Sequence, residues 1–313
     1  MEGRLFYSVE NSTATSKVFI NLNKDLSLVN SKNMEHTTRD GHVKGYMCNI
    51  ALVGGNGQLF TYKTAPNTWK FRNAFRKFHA YRNLMFANAG IEDREKGRYG
   101  KTIRPYLNHS HYQSVNGISS NKTLTPTSGL GSLYDGGEWT HSKLATVPLY
   151  EQTATLMGES TLKVADEWEL TVCGNNVLGD TETDTSGTYQ TVGMIHSYNL
   201  DRMDVITPTT AGETVQGPSN PLAALIASGN QAAGEILEIT NEQELEAPPY
   251  HTSDGGDSTE EIVALQQKVP SILGIVKASV FVPAGIMEIA VTGSGDYNVL
   301  IDVVGEVLCK DLA

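Results

Sequence analysis

Residues 298–308 read NVLIDVVGEVL and form the most β-prone run of the chain. β-Branched and aliphatic side chains dominate the run, and no proline interrupts a hydrogen-bond ladder along it. A segment near the end of a chain frays unless it is tied into a sheet. We therefore predict that this run is an inner strand on which the fold depends.

Other apolar runs extend this prediction to about eight to ten strands. Residues 274–285 and 286–293 read GIVKASVFVPAG and IMEIAVTG, and they complete a predicted terminal sheet. Residues 16–29 (SKVFINLNKDLSLV) alternate as one or two half-buried strands do. The GGNG sequence at 54–57 predicts a hairpin, because glycine and asparagine tolerate positive φ. Further strand-like runs are 99–108, 143–158, 160–174 and 187–200.

Helices are few in the predicted structure. Residues 67–90 form one long amphipathic helix, with Asn67 or Thr68 as its cap and Gly90 as its end. A shorter helix is predicted at 219–235, and an acidic loop at 235–261. Because no composition break divides the chain, we predict one mainly β domain with long loops and one or two inserted α-helices.

Composition limits the class of protein. The 313 residues include 30 Gly and 11 Pro, which favours β-structure and long loops over helices. No apolar run is long enough to span a bilayer, and residues 1–17 lack a signal-peptide core. Cys48, Cys173 and Cys309 are odd in number and far apart, which predicts buried free thiols in a reducing compartment.

Charge is distributed unevenly along the chain. The formal net charge is −11, yet residues 63–104 carry 11 Lys or Arg against three acidic residues. Residues 205–267 carry ten acidic residues and no Lys or Arg. Such opposite patches are typical of chains that associate with copies of themselves.

The predicted long helix carries the main candidate site. Its basic side chains either form a solvated polar face or contact a phosphate backbone or an acidic neighbouring subunit. These candidate contact residues are Lys70, Arg72, Arg76, Lys77 and Arg82.

Motifs for catalysis or ion binding are weak. GRYGKT at 97–102 resembles a phosphate-binding loop, but Glu95 occupies the position of its first glycine. His109 and His111 lie in polar surroundings and are predicted surface histidines. Asp180, Glu182 and Asp184 have a loosely calcium-like spacing without the required glycine and glutamate, so a solvated acidic turn is favoured over a calcium site.

Asp135, Glu138 and His141 could perform acid–base chemistry, but no nucleophile elbow accompanies them. We therefore predict no enzyme activity, no cofactor and no metal site.

The layout resembles the jelly-roll capsid proteins of small, circular single-stranded DNA viruses. The shared features are a lone β-rich domain of this size, about eight strands, a helix inserted after the early hairpin, long Gly/Thr/Ser/Pro loops and the closing run at 298–308. This resemblance implies a single eight-stranded jelly-roll β-sandwich at 16–313 after an N-terminal arm at 1–15. The arm departs from many of those proteins, because it carries a single arginine, Arg4.

The resemblance also implies a function. Copies of the chain would assemble into an icosahedral shell around packaged nucleic acid, in a virion made in the host cytoplasm or nucleus. Three alternatives stay open. One is a carbohydrate- or receptor-binding sandwich of a phage fibre or adhesin, with Trp139, Tyr134 and Tyr112 exposed; the others are a double jelly-roll phage capsid protein and a hydrolase that uses Asp135, Glu138 or His141.

Overall fold

The computed structural model describes residues 3–38, 40–92, 94–97, 102–128, 134, 139–146, 166–178, 189–203, 260–271 and 274–312. This part of the chain is mainly β, which confirms the predicted fold class at that level. The helices are α1 (Leu22–Asn30), α2 (Trp69–Asn88), α3 (His109–Val115), α4 (Met194–Met203) and a 3-10 helix (Cys309–Leu312). The strands are β1 (Arg4–Val9), β2 (Thr15–Asn21), β3 (Lys44–Gly54), β4 (Leu59–Thr64), β5 (Lys122–Thr123), β6 (Lys143–Thr146), β7 (Asp166–Thr171), β8 (Val177–Leu178), β9 (Tyr189–Gly193), β10 (Ile262–Lys268), β11 (Ile275–Pro283), β12 (Ile286–Thr292) and β13 (Tyr297–Leu308).

Two large sheets form a sandwich. The first sheet has the order β1-β13-β3-β11, and the second has the order β10-β4-β12-β2-β5. All their strand pairs are antiparallel except β2 with β5. Four pairs are nested in sequence, because β1 pairs with β13, β2 with β12, β3 with β11 and β4 with β10. The prediction of an N-terminal arm at 1–15 is wrong for residues 4–9, which form strand β1 and pair with β13.

The closing run is an inner strand, as predicted. β13 lies between β1 and β3, so that Ile301 pairs with Leu5 on one side and with Ile50 on the other. A bulge between Val303 and Gly305 interrupts the pairing with β3 near its far end. Both edges of the strand are therefore hydrogen-bonded, and its loss would leave two ladders open.

The first core lies between the two sheets. Alternate residues of each strand point into it, as the two-residue period of a strand requires. On β13, Val299 and Ile301 are fully buried while Leu300 between them is 38% exposed on the outer face. The buried cluster also includes Leu5, Tyr7, Val18, Ile20, Tyr46, Ile50, Leu52, Phe60, Tyr62, Ile289 and Val291.

A second core lies on the other face of the second sheet. Phe19 of β2 and Ile286 of β12 point away from the sandwich and join a cluster with the inserted segment between β4 and β10. That segment contributes the aromatic face of α2, together with Trp168 of β7 and Tyr198 of α4. The inserted segment therefore covers part of the outer face of the second sheet, around Phe19, Ile286 and Glu288. The third sheet, β6-β7-β9-β8, belongs to the same segment and contains the parallel pair β7–β9.

The long helix is confirmed. Thr68 is its N-cap, and its hydroxyl oxygen accepts a hydrogen bond from the Phe71 N–H at 3.3 Å. Helix α2 begins one residue later and reaches Asn88, after which Gly90 has a φ of 71°. None of the helices in the described ranges combines the length and the apolar character that crossing a bilayer requires.

The predicted hairpin at 54–57 is wrong. Gly54, Gly55 and Gly57 do have positive φ, but β3 and β4 belong to different sheets. The turn carries the chain across the sandwich, because β3 pairs with β11 and β13 while β4 pairs with β10 and β12. Turn chemistry alone does not specify which strands pair.

Several runs predicted as strand or loop are helical. Residues 22–30 form α1, because the Asn21 side chain caps the helix by accepting from the Lys24 N–H at 3.2 Å. Asn108 caps α3 in the same way, and α4 follows β9 directly. Within the described residues alone, three helices lie between β4 and β10, which exceeds the one or two inserted helices that we predicted. The predicted helix at 219–235 lies outside the described residues, as does nearly all of the acidic loop at 235–261.

Candidate functional site

The five basic residues of α2 do not share one environment. Arg76 is exposed, and Arg72 and Arg82 are half-buried. Lys70 and Lys77 are buried. Lys77 Nζ donates to the carbonyl oxygen of Ser197 in α4 at 3.0 Å and lies over the ring of Tyr81. This ammonium group therefore serves contacts within the chain.

A small basic surface remains at the first half of α2. Arg72 Nη1 reaches the carbonyl oxygen of Cys309 at 3.5 Å, so the side chain lies against the 3-10 helix. Arg76 lies one turn further along α2, and Lys310 is exposed beside Cys309. We call Arg72, Arg76 and Lys310 the basic surface. Arg82 is separate, since its guanidinium lies 5.7 Å from the ring of Phe86.

Three histidines lie where the inserted segment meets the sandwich. His111 of α3 stacks on Phe19 of β2 with 4.8 Å between ring centroids, and its Nδ1 accepts from the Leu107 N–H at 3.1 Å. His141 stacks on Tyr106 at 3.8 Å. The rings of His111 and His141 are 6.0 Å apart. Because α3 is a helix, the predicted exposure of His111 is wrong; its ring is fully buried.

His36, the third of these histidines, contacts the segment that joins β11 to β12. Its Nδ1 is 2.6 Å from the carbonyl oxygen of Ala284, and its ring packs edge-on against Trp139. The guanidinium of Arg104 lies 4.2 Å from the Trp139 ring. We call His36, His111 and His141 the histidine cluster.

Burial keeps the histidine cluster neutral. Loss of hydration lowers the pKa of His36 to about 4, with a further contribution from Arg104. The same effect lowers the pKa of His111 to about 3, with Lys24 and His36 contributing, and it holds the pKa of His141 well below its usual value. Each Nε2 is buried without a hydrogen-bond partner among the described residues. That part of the chain contains no group of three His, Cys, Asp or Glu arranged to hold a metal ion.

A buried acid pair lies inside the sandwich itself. The Tyr7 hydroxyl donates to Asp25 Oδ2 at 2.6 Å, and both side chains are fully buried. Burial raises the pKa of Asp25 to about 7, although the Tyr7 hydrogen bond opposes the shift. Asp25 is therefore a carboxyl group that changes charge near neutral pH.

A polar centre lies on the covered face of the second sheet. Glu288 of β12 is fully buried. Lys17 Nζ and Lys63 Nζ each lie 3.8 Å from its Oε1, and Asn108 Nδ2 donates to its Oε2 at 3.0 Å. The same amino group of Asn108 donates to Glu261. No described group donates a hydrogen bond to Oε1 of Glu288.

Sequence reasoning missed these buried centres. Glu288 has the same strand phase as Ile286 and Ala290, so an acid on a covered face could have been recognised from the two-residue period. The histidine cluster brings together residues from distant parts of the chain, and local sequence carries no signal for such a contact.

Other predicted residues take no part in a shared site. Trp139 packs on Arg104, and Tyr112 stacks on His109 at 5.6 Å, so neither is a free aromatic platform. His109 Nδ1 lies 3.0 Å from the Thr191 hydroxyl. Asp135, Glu138, Asp180, Glu182 and Asp184 lie outside the described residues, as does most of the 97–102 loop.

Three comparisons with known proteins set the context for this geometry. No family model matches the chain, no curated protein matches its sequence, and no solved structure matches its fold.

Proposed function

We propose that this chain is a viral capsid protein whose sandwich is a single eight-stranded jelly roll. The observation that carries the proposal is the nested pairing of β1 with β13, β2 with β12, β3 with β11 and β4 with β10. A long hairpin of eight strands that rolls up into two sheets produces this order. Strand β5 is then a short addition to the edge of the second sheet.

The inserted segment supports a single roll over a double one. The segment leaves the set of nested strands after Thr64 of β4 and returns to it at Ile262 of β10, and these two residues are directly paired. Its own sheet contains the parallel pair β7–β9, whereas the eight nested strands are all antiparallel. A second nested set of strands is not found among the described residues.

Association between copies would cover the outer face of the first sheet. Of the ten exposed large apolar side chains in the described ranges, six lie on strands of this sheet. Monomeric proteins rarely expose such groups together. Those six side chains are Phe6, Met47, Val53, Ile275, Leu300 and Val304.

The basic surface supplies a contact for nucleic acid or for an acidic neighbour. Arg76 and Lys310 are exposed and Arg72 is half-buried, while Lys70 and Lys77 are buried. Phosphate contacts need only accessible positive charge and carry no sequence requirement. In this proposal the chain functions in the virion after synthesis in the host cytoplasm or nucleus.

Purification of the full chain tests the proposal. Light scattering and negative-stain electron microscopy across salt concentration and pH should reveal closed particles of uniform diameter. The matched variants Leu300→Lys and Lys268→Glu separate the outer face of the first sheet from an exposed position on β10. We expect the first variant to lower particle yield and the second to leave it unchanged. A chain that stays monomeric at high concentration under all these conditions would overturn the proposal.

A further inference from the structure

The carboxylate of Glu288 lies between two side chains that can react with each other, the amine of Lys63 and the carboxamide of Asn108. Its Oε1 is 3.8 Å from the amine nitrogen of Lys63, and its Oε2 is 3.0 Å from the amide nitrogen of Asn108. A lysine amine and an asparagine carboxamide can exchange to give a new amide and ammonia. The exchange needs a group that takes a proton from the amine and returns it to the leaving nitrogen.

The carbonyl of Asn108 is already polarised. Its Oδ1 accepts a hydrogen bond from the His111 N–H at 2.8 Å, through the cap of α3. A backbone N–H aimed at a carbonyl oxygen stabilises the negative charge that develops when a nucleophile adds. Asn108 and Glu288 are both buried, so little water competes for the carbonyl carbon.

We propose that Lys63 and Asn108 become joined by an amide bond in the folded chain, with Glu288 as the proton carrier. Glu288 takes a proton from the Lys63 ammonium group, and the free Nζ adds to Cγ of Asn108. Glu288 returns that proton to Nδ2, the Cγ–Nδ2 bond breaks, and one ammonia leaves. The regenerated Glu288 carboxylate then takes the second proton that Nζ must lose to become an amide nitrogen, and the departing ammonia carries this proton away as ammonium. No oxidant or external reactant is needed.

Lys63 is the better placed of the two lysines. It lies directly opposite Glu288 in the β12–β4 register, whereas Lys17 is paired with Ala290. The Lys63 side chain is 29% exposed against 43% for Lys17, so its amine is less hydrated. Its four-carbon stem lets Nζ swing from the carboxylate toward Cγ while the strands stay in place.

The bond would tie the inserted segment to the sandwich. Lys63 belongs to β4 and Asn108 precedes α3, so the new amide links the second sheet to the layer that covers it. It also gives a role to the buried Oε1, which no hydrogen bond satisfies within the described part of the chain. The inference is independent of shell assembly.

Intact-mass spectrometry of the denatured full-length protein tests the proposal. We expect the wild-type chain to be lighter than its sequence by one ammonia. A tryptic digest should resist cleavage at Lys63 and yield a branched peptide that contains Lys63 and Asn108.

Three variants assign the chemistry. Glu288→Gln keeps the shape of the side chain but cannot carry the proton, and Lys63→Arg keeps the positive charge but removes the amine. Both should have the full sequence mass, while the matched control Lys17→Arg should still lose ammonia. Circular dichroism identifies any variant that fails to fold, and the wild-type mass decides the question in that case.

Several results would overturn the proposal. One is a wild-type mass that equals the sequence mass after prolonged storage at neutral pH. Another is an ammonia loss located at Asn56–Gly57 or Asn116–Gly117, where asparagine followed by glycine can cyclise on its own backbone. A branched peptide that contains Lys17, or ammonia loss that persists in Lys63→Arg, would also reject the assignment.

Discussion

Acidification should unfold this protein through its histidine cluster. The pKa of His36 falls from 6.5 to about 4 on folding, and that of His111 falls to about 3. Between pH 6.5 and these values the unfolded chain binds protons that the folded chain excludes. The free energy of unfolding must therefore decrease as pH falls through this window.

The size of the effect follows from the two pKa values. At pH 5 each of these histidines lowers the free energy of unfolding by about 2 kcal/mol relative to pH 7. His141 and His79 add to the loss, because burial lowers their pKa values as well. Arg104 and Lys24 are the charges near the cluster, and both oppose its protonation.

Asp25 acts in the opposite direction. Its pKa rises from 3.8 to about 7 on folding, so its contribution to stability is present below pH 3.8 and is lost as pH rises toward 7. Replacement of Asp25 by Asn keeps an acceptor for the Tyr7 hydroxyl and removes this titration. The variant should gain about 4 kcal/mol over the wild type at pH 8 and less than about 1 kcal/mol at pH 4.

Urea denaturation of dissociated subunits at pH 8, 7, 6, 5 and 4 measures both effects. Asp25→Asn isolates the histidines, so its free energy of unfolding should drop by at least about 4 kcal/mol between pH 7 and pH 5. A stability that is flat over this interval in the variant would refute the buried, neutral state of His36 and His111. If the free energies of unfolding of the wild type and of Asp25→Asn differ by the same amount at every pH, then Asp25 does not titrate as a buried carboxyl group.

Other predictions concern the helix and the closing strand. Arg72→Glu with Arg76→Glu should lower the nuclease-protected nucleic acid of purified particles, because two cations of the basic surface are replaced by acids. The charge-matched control Lys32→Glu with Lys268→Glu should not, and equal packaging in both would show that the basic surface is merely solvated. Lys77→Ala should lower the free energy of unfolding by about 2–4 kcal/mol, since it removes the hydrogen bond to Ser197 and the packed stem. Exposed Lys32→Ala should cost less than about 0.5 kcal/mol in the same denaturation assay. Ile301→Ala on β13 should cost about 2–5 kcal/mol, whereas Leu300→Ala on the outer face should cost less than about 1.5 kcal/mol. Similar losses at these two neighbours would contradict the inward direction of Ile301.

Sequence reasoning identified the elements whose signals are local. The run at 298–308 has a strong strand propensity, and the helix at 67–90 has a cap, a periodic apolar face and a terminating glycine. The predicted elements were wrong where a capping side chain overrides the strand propensity of a run, and where a turn joins strands that do not pair with each other. Asn21 caps α1 and turns an apolar, strand-like run into a helix, and the turn at 54–57 joins two strands that pair elsewhere.

The candidate site was harder to predict because it depends on contacts between distant residues. Lys70 and Lys77 fall on the basic side of a helical wheel, yet α4 and neighbouring residues bury them. Asn108 and Glu288 meet only after the inserted segment has folded over the second sheet. Such meetings depend on the full topology rather than on residue spacing.

The inserted segment leaves and rejoins the sandwich at a single pair of residues, because Thr64 of β4 is paired directly with Ile262 of β10. Because the segment departs and re-enters at one pair of residues, a change in the length of its loops leaves the register of the eight nested strands unchanged. Strand β5, which pairs with β2, and the residues of the second core are held in place by their contacts with the sandwich. An insertion within one of the nested strands would instead shift a ladder and expose the interior.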